Sequence, residues 1–249
     1  MNPVIETILA HRSVRSFEDR ELSKEQIETI VRCAQAGSTS SYVQAYSIIG
    51  VTDDEKKKQL AEIAGNQMYV ADCGHLFVFC ADLHRHEVIG QMEQADVLPS
   101  VESTEKFMVG VIDATIAAQN AALAAESMGL GICYIGGLRN NLPAVCEILH
   151  IPERVVPLFG MVVGYPKKIN QQKPRLPIEH IYSENCYPQN ESEYINQLED
   201  FNKIVQDYYI KRTNGKRNDT WTSQVAKTFE KQSRMYMKDF VKKQGLNKQ

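Results

Sequence analysis

Apolar residues recur at helical spacing close to the N-terminus, where Val4, Ile5, Ile8 and Leu9 share one face and predict a short helix over Pro3–His11. Ser23-Lys-Glu-Gln26 has the spacing of a capping box, and Ile27, Ile30, Val31 and Ala34 follow on one helical face as far as Gly37. The polar run Ser38-Thr39-Ser40-Ser41 then predicts a loop. Four apolar, β-branched runs predict strands over 46–52, 75–81, 131–135 and 155–164. Thr52-Asp-Asp-Glu55 reads as a second capping box opening a helix to about Ala64. The longest helical pattern, Ser103 to Met128, carries seven alanines between Ala114 and Ala125, small enough to let another helix approach closely, and Gly129 stands ready to cap it. Asn141 can cap a helix to about Leu149, with Pro143 in its first turn. From about 165 to 190 four prolines and little periodicity predict an extended arm, followed by a helix over Tyr194–Arg212 and two helical patterns around Thr222–Lys243. The arm lacks a core of its own, which points to packing on a second subunit.

Composition narrows the class. With 249 residues, 43% hydrophobic and 24% charged, the chain is globular and can bury a sizeable core, so disorder is excluded. No repeat or Gly/Ser linker divides it, and we read residues 1–249 as one domain with an arm and C-terminal helices. The apolar stretch from Phe107 to Met128 is interrupted by Asp113, Gln119, Asn120 and Glu126, so it reads as a buried helix and not a membrane span. Six cysteines with no C-x-x-C pair, and an N-terminus without a basic-then-apolar leader, predict a cytoplasmic protein. No G-x-S-x-G elbow or Walker A loop is present, which removes support for hydrolase and kinase readings, and His84-Arg-His86 lacks the further ligands a metal would need.

Net charge is −3, but it is a sum of unlike parts: residues 203–249 hold 12 basic and 4 acidic residues, the first 202 hold 16 and 27. Compact basic clusters in such a background suit small anionic cofactors better than a nucleic-acid track. His11-Arg12-Ser13-Val14-Arg15 places two guanidiniums, a hydroxyl and an imidazole within five residues, with Arg12 and Arg15 three apart and able to face the same way. It reads as a phosphate clamp or as the solvated end of a helix. Tyr134-Ile135-Gly136-Gly137 ends a strand in two glycines, suited either to backbone contact with a flat ligand or to a plain turn. Lys173-Pro174-Arg175 splays two cations, and Lys211-Arg212-Thr-Asn-Gly-Lys216-Arg217 gathers four, enough for an extra phosphate or for complementing a helix dipole. The cysteines, scattered through apolar strands and helices, read as core residues, and Cys133, beside the two-glycine turn, is the one to test for reactivity.

Together, His11-Arg-Ser-Val-Arg-Ser-Phe17, Ser38-Thr-Ser-Ser41, Gly65-Asn-Gln67, Gly129-Leu-Gly-Ile-Cys-Tyr-Ile-Gly-Gly137 and Lys173-Pro-Arg-Leu-Pro177 stand in the order seen in the nitroreductase superfamily. The chain resembles the NADPH-preferring, FMN-dependent branch known from Bacillus-type bacteria over essentially its whole length. That resemblance implies an α+β fold with a mostly antiparallel sheet flanked by helices, in an intertwined homodimer with C-terminal strand exchange. It implies FMN held by His11, Arg12, Ser13 and Arg15 at the phosphate and pyrimidine edge, by Thr39 and Gln67 at the ribityl chain and ring edge, and by the backbone of Tyr134, Ile135, Gly136 and Gly137 over the isoalloxazine. Lys173 and Arg175 complete the phosphate site by the same analogy, Arg212 with Lys216 or Arg217 grips the 2′-phosphate of NADPH, and Tyr69 and Tyr42 border the pocket. Thr39 stands where the family often has serine. The implied activity is ping-pong reduction of flavins, nitroaromatics, quinones or azo compounds with electrons from NADPH. The competing reading is a non-catalytic flavin-binding or redox-sensing protein. The segment from Val88 to Glu105 is longer and more acidic than in enterobacterial relatives, so substrate preference does not carry over.

Overall fold

The structure, a computed structural model, describes residues 2–249. They fall into two compact units, one of residues 2–170 with 234–249 and one of residues 171–233.

The larger unit is built on a four-stranded sheet of β1 (Tyr46–Val51), β2 (His75–Asp82), β3 (Gly131–Ile135) and β4 (Val155–Gly164) in the order β1-β2-β4-β3, with every pair antiparallel. All eight residues of β2 are buried. A strand covered on both faces needs no polar alternation, which is why it reads as an unbroken apolar run. Its alternation instead sorts side chains between two cores. Leu76, Val78 and Cys80 meet Leu60 and Ala61 of helix α3 (Asp54–Ile63) on one face. Phe77 and Phe79 meet α2 (Lys24–Gln35) and α6 (Thr104–Ser127) on the other.

The alanines of α6 serve the close approach their size permits: Ala117, Ala118, Ala121, Ala122 and Ala125 are all buried against α2 and the sheet. Ser103 caps its start through Lys106 N, and Gly129, at φ +75°, turns the chain out of its end. The Ser23–Gln26 capping box forms as the spacing predicts. The second does not: Asp53, not Thr52, accepts from Lys56 N, so α3 begins one residue later than a Thr52 cap requires. Helices α4 (His84–Glu93) and α5 (Leu98–Val101) occupy the acidic excursion that the sequence left without structure. Short α1 (Pro3–Leu9) lies against α6, and α7 (Leu142–Leu149) starts at an Asn141 cap with proline in its first turn.

The C-terminal stretch of this unit is tied down by one buried guanidinium. Arg154 donates to Gly245 O and pairs with Glu87 at 3.4 Å and Glu102 at 2.9 Å, while Lys248 reaches Glu102 at 2.7 Å.

The smaller unit contains helices α8 (Glu191–Arg212) and α9 (Trp221–Glu230), the last helix α10 (Met237–Lys243) belonging to the larger unit. Helix α8 starts three residues before the expected Tyr194, at an Asn190 cap that accepts from Glu193 N. Its core is small and aromatic: Phe201, Val205 and Tyr209 pack with Leu176, Tyr208 and Trp221.

Candidate functional site

Residues 11–17 run extended beside β3, where Val14 N donates to Ile132 O at 2.8 Å. Gly131 makes this approach possible, because a Cβ there would lie 2.7 Å from Val14 Cγ2. An extended segment sends alternate side chains to opposite sides. Ser13 and Arg15 therefore reach Cys133 on β3, whereas Arg12 and Val14 line a separate cavity of about 420 Å³ with Glu126, Gly131 and Ile169. Arg12 and Arg15 thus do not face the same way, as their three-residue spacing would allow on a helix, and Arg12 Nε instead donates to Ala10 O at 2.9 Å.

Arg15, Ser13, Cys133, Tyr69 and Gln67 converge on one spot. Tyr69 OH donates to Gln67 Oε1, Arg15 and Cys133 lie close enough to Tyr69 to act on its phenol, and Ser13, Tyr69 and Arg15 lie close enough to act on the Cys133 thiol. Burial raises the Tyr69 phenol above its ordinary value, with Cys133 adding to the rise and Arg15 working against it. Burial also raises the Cys133 thiol, although Arg15 opposes it. Both groups therefore stay protonated at neutral pH, and Cys133 is a buried structural thiol, not the reactive one its position suggested. Arg15 itself is exposed, so its charge faces outward from a neutral, hydrogen-bonded base.

His11 is fixed from the other side of the segment. Its Nδ1 lies 2.7 Å from Glu126 Oε1, in the last turn of α6. A carboxylate only accepts, so Nδ1 carries the proton. Sequence reasoning treated Glu126 only as an interruption of an apolar run, and nothing local could reveal a partner 115 positions away.

At the end of β3, Tyr134 turns its ring edge-on to Phe159 and donates its hydroxyl to Ala118 O at 3.0 Å. Burial pushes this phenol up to about 12, with Glu126 contributing. Ile135 is buried in the sheet, and Gly136–Asn140 forms a 3-10 turn. Gly137 is glycine for a packing reason: a Cβ would lie 2.6 Å from Ala64 O. Thr39 precedes a second 3-10 turn, Ser40–Tyr42, whose Tyr42 is 83% exposed. Among the described residues, no hydrogen bond joins Thr39 to the Arg15–Tyr69 cluster.

The remaining predicted residues lie in the smaller unit. Lys173 and Arg175 line a cleft of about 320 Å³ with Phe201, Tyr208 and Trp221. Arg212 donates to Tyr208 OH at 2.9 Å and, among the described residues, has no carboxylate partner. Arg217 sits 4.3 Å from the Tyr209 ring centroid, its charge already met by Asp219 at 2.7 Å. Lys216 is exposed in the turn between them.

A small antiparallel sheet between helical layers, with an exposed cation set on a bed of hydroxyls and an amide beside a glycine turn, defines a class: α+β proteins suited to a flat, polar, anionic cofactor. The chain belongs to the Nitroreductase family, whose sequence model matches residues 8–165, and the model of the Nitroreductase family C-terminal domain matches residues 173–249. It is 53% identical over 248 residues to the FMN reductase (NADPH) of Bacillus subtilis (strain 168), with 100% of both chains covered. Among solved structures it is similar to NfrA1 of B. megaterium, at TM-score 0.98 and 59% identity, covering 99% of this chain and 100% of that one. It is also similar to the NADPH:FMN oxidoreductase from Vibrio harveyi complexed with NAD+, at TM-score 0.90 and 40% identity over all of both chains.

The donor set fits FMN. Arg15 offers a cation, Ser13, Thr39 and Tyr69 offer hydroxyls, and Gln67 offers an amide to a ring edge. Tyr134, near the end of β3, is fixed by its hydroxyl on Ala118 O.

Proposed function

We propose that this protein is an NADPH-dependent oxidoreductase that carries FMN and reduces free flavins, nitroaromatics, quinones or azo compounds. The observation that carries the reading is the convergence of Arg15, Ser13, Tyr69 and Cys133, with Gln67 bonded to Tyr69. Bound FMN would supply two-electron redox chemistry, taking a hydride from NADPH and passing electrons to a second substrate in ping-pong order.

The chain's own residues bind, orient and neutralise. Arg15 places positive charge at the pyrimidine edge, where a reduced ring carries negative charge. Ser13 and Gln67 orient that edge by hydrogen bonds, and Glu126 holds His11 in one tautomer at the start of the clamp. Arg12 joins the phosphate contacts by leaving Ala10 O. Thr39 contributes its hydroxyl from its own loop. In the smaller unit Arg212 meets the 2′-phosphate of NADPH, because its charge is unspent where that of Arg217 is paired with Asp219. Both units act as one catalytic domain in this reading.

The working form is an intertwined homodimer with C-terminal exchange, located in the cytoplasm. Support for the dimer comes from α6, whose Met108, Ile112 and Ile116 make an exposed apolar stripe at four-residue intervals, and from exposed Val4, Ile5, Ile8 and Leu9 on α1. Support for a reducing compartment comes from six cysteines that form no disulfide.

The test is stopped-flow reduction with NADPH and NADH, followed by a panel of acceptors. Purified protein should be yellow, and Arg15→Ala should weaken FMN binding and slow reduction at least tenfold. An Arg15→Ala variant with both unchanged would remove Arg15 from the site. Arg212→Ala should raise KM for NADPH far more than for NADH, and equal effects would show that Arg212 does not read the 2′-phosphate.

A further inference from the structure

Three of the four residues from 41 to 44 are non-glycine residues in the left-handed region: Ser41 at φ 49°, Tyr42 at 60° and Gln44 at 51°. Such conformations are uncommon for non-glycine residues, and a run of them persists only where surrounding structure imposes it. The surrounding structure here is two side chains. Asp113, 1% exposed on α6, accepts from Ser40 N through Oδ1 and from Ala45 N through Oδ2, both at 3.0 Å. His86, on α4, donates Nε2–H to Val43 O at 2.7 Å. Loop residues 40, 43 and 45 are therefore gripped from two helices, and the left-handed residues lie between the grips.

Two details show that this grip is built at some expense. With Nε2 committed to Val43 O, His86 Nδ1 is left buried without a hydrogen-bond partner. A helical glycine, Gly110, lies one turn before Asp113, where a Cβ would come 3.2 Å from Ala45 O and 3.0 Å from Ala81 Cβ. The interior of α6 thus accepts its poorest non-proline helix former so that the helix can approach the loop.

We propose that Asp113 and His86 are positioning residues for the flavin site, holding loop 39–45 in its strained shape before the cofactor arrives. The proposal rests on the reading of Thr39 as an FMN-binding hydroxyl. A buried carboxylate accepting two backbone N–H groups fixes both their direction and their separation, which a neutral or longer side chain would not reproduce. With the loop already shaped, bound FMN does not meet the cost of ordering it.

The test measures FMN dissociation constants by flavin fluorescence on the full chain, at a temperature where each apo-protein is fully folded, together with apo-protein Tm. His86→Ala should raise the FMN Kd about tenfold, equivalent to about 1.4 kcal/mol. His86→Gln, whose amide can still donate to Val43 O, should return it to within about threefold of wild type. Asp113→Asn, which keeps only one acceptor oxygen, should fall between wild type and His86→Ala. A His86→Ala variant with lowered Tm but unchanged FMN Kd would overturn the proposal and leave the pair a merely structural one. So would a His86→Gln variant as weak as His86→Ala. Wild-type protein that takes up no FMN would overturn the flavin reading and this proposal together, and is told apart by needing no variant.

Discussion

At the scale of the single residue, His75 shows how burial turns a common side chain into a pH-dependent liability. It opens β2 with 4% exposure, lies tilted against Phe77 at 4.4 Å between centroids, and has Nε2 buried without a partner. Burial, helped by the Lys57 ammonium, lowers its pKa from 6.5 to about 4. Between these values the unfolded chain takes up a proton that the folded chain refuses, so the folded state loses ground as pH falls from about 6.5 to about 4. The full loss is about 3 kcal/mol for a shift of this size. Urea denaturation at pH 7.5 and 4.5 should show His75→Gln losing less stability on acidification than wild type. Equal losses in the two proteins would acquit His75. In the candidate site the opposite holds: Arg15 keeps its charge exposed over a base of groups that burial holds neutral.

At the scale of the element, the contact between the 11–17 segment and β3 decides where Arg12 and Arg15 point. Gly131→Ala would drive a methyl against all three Val14 side-chain carbons, at 2.7 to 2.9 Å. Overpacking of this kind costs about 1–3 kcal/mol. The variant should show a lower Tm and purify with less than half the wild-type flavin content, measured by absorbance after denaturation. Full flavin content would mean that the segment can shift without consequence. The elements themselves were largely legible from the chain: the Ser23–Gln26 box, the alanines of α6 and the buried runs of β2 and β4 each carry a local physical signal. Helix α4 was not, because its apolar residues Val88, Ile89 and Met92 are all exposed and the residue it buries is Gly90, so no apolar face marks the side it packs with. The start of α8 was available in Asn190-Glu-Ser-Glu193, an N-cap signal whose Asn190 stands four residues before Tyr194, the first apolar position. In the site, the basic and glycine motifs were readable as motifs. The opposed directions of Arg12 and Arg15 required knowing that their segment is extended. The roles of Asp113 and Glu126 required contacts 68 to 115 positions apart in the chain, which no local pattern encodes.

At the scale of the whole molecule, the apolar stripe on α6 is the feature that a lone subunit leaves unexplained. Ile112 is 50% exposed midway between Met108 and Ile116. A charge at its centre would have to be desolvated in any close-packed helix interface, so Ile112→Glu should shift light-scattering mass from about 56 to about 28 kDa and lower flavin content with it. An unshifted mass would place the interface elsewhere.

Helix α6 also holds three pieces around the larger unit's site, with Asp113 on the 39–45 loop, Ala118 on Tyr134 and Glu126 on His11. These three attachments are spread over about 20 Å of one rigid rod. Inserting or deleting a single residue between them would rotate one end by about 100° against the other, and no side-chain adjustment could restore all three. The consequence is a rule of inheritance. Recombination between relatives can place its crossovers in the loops outside this set, but residues 11–15, loop 39–45, α6 and β3 have to travel as one block from one parent.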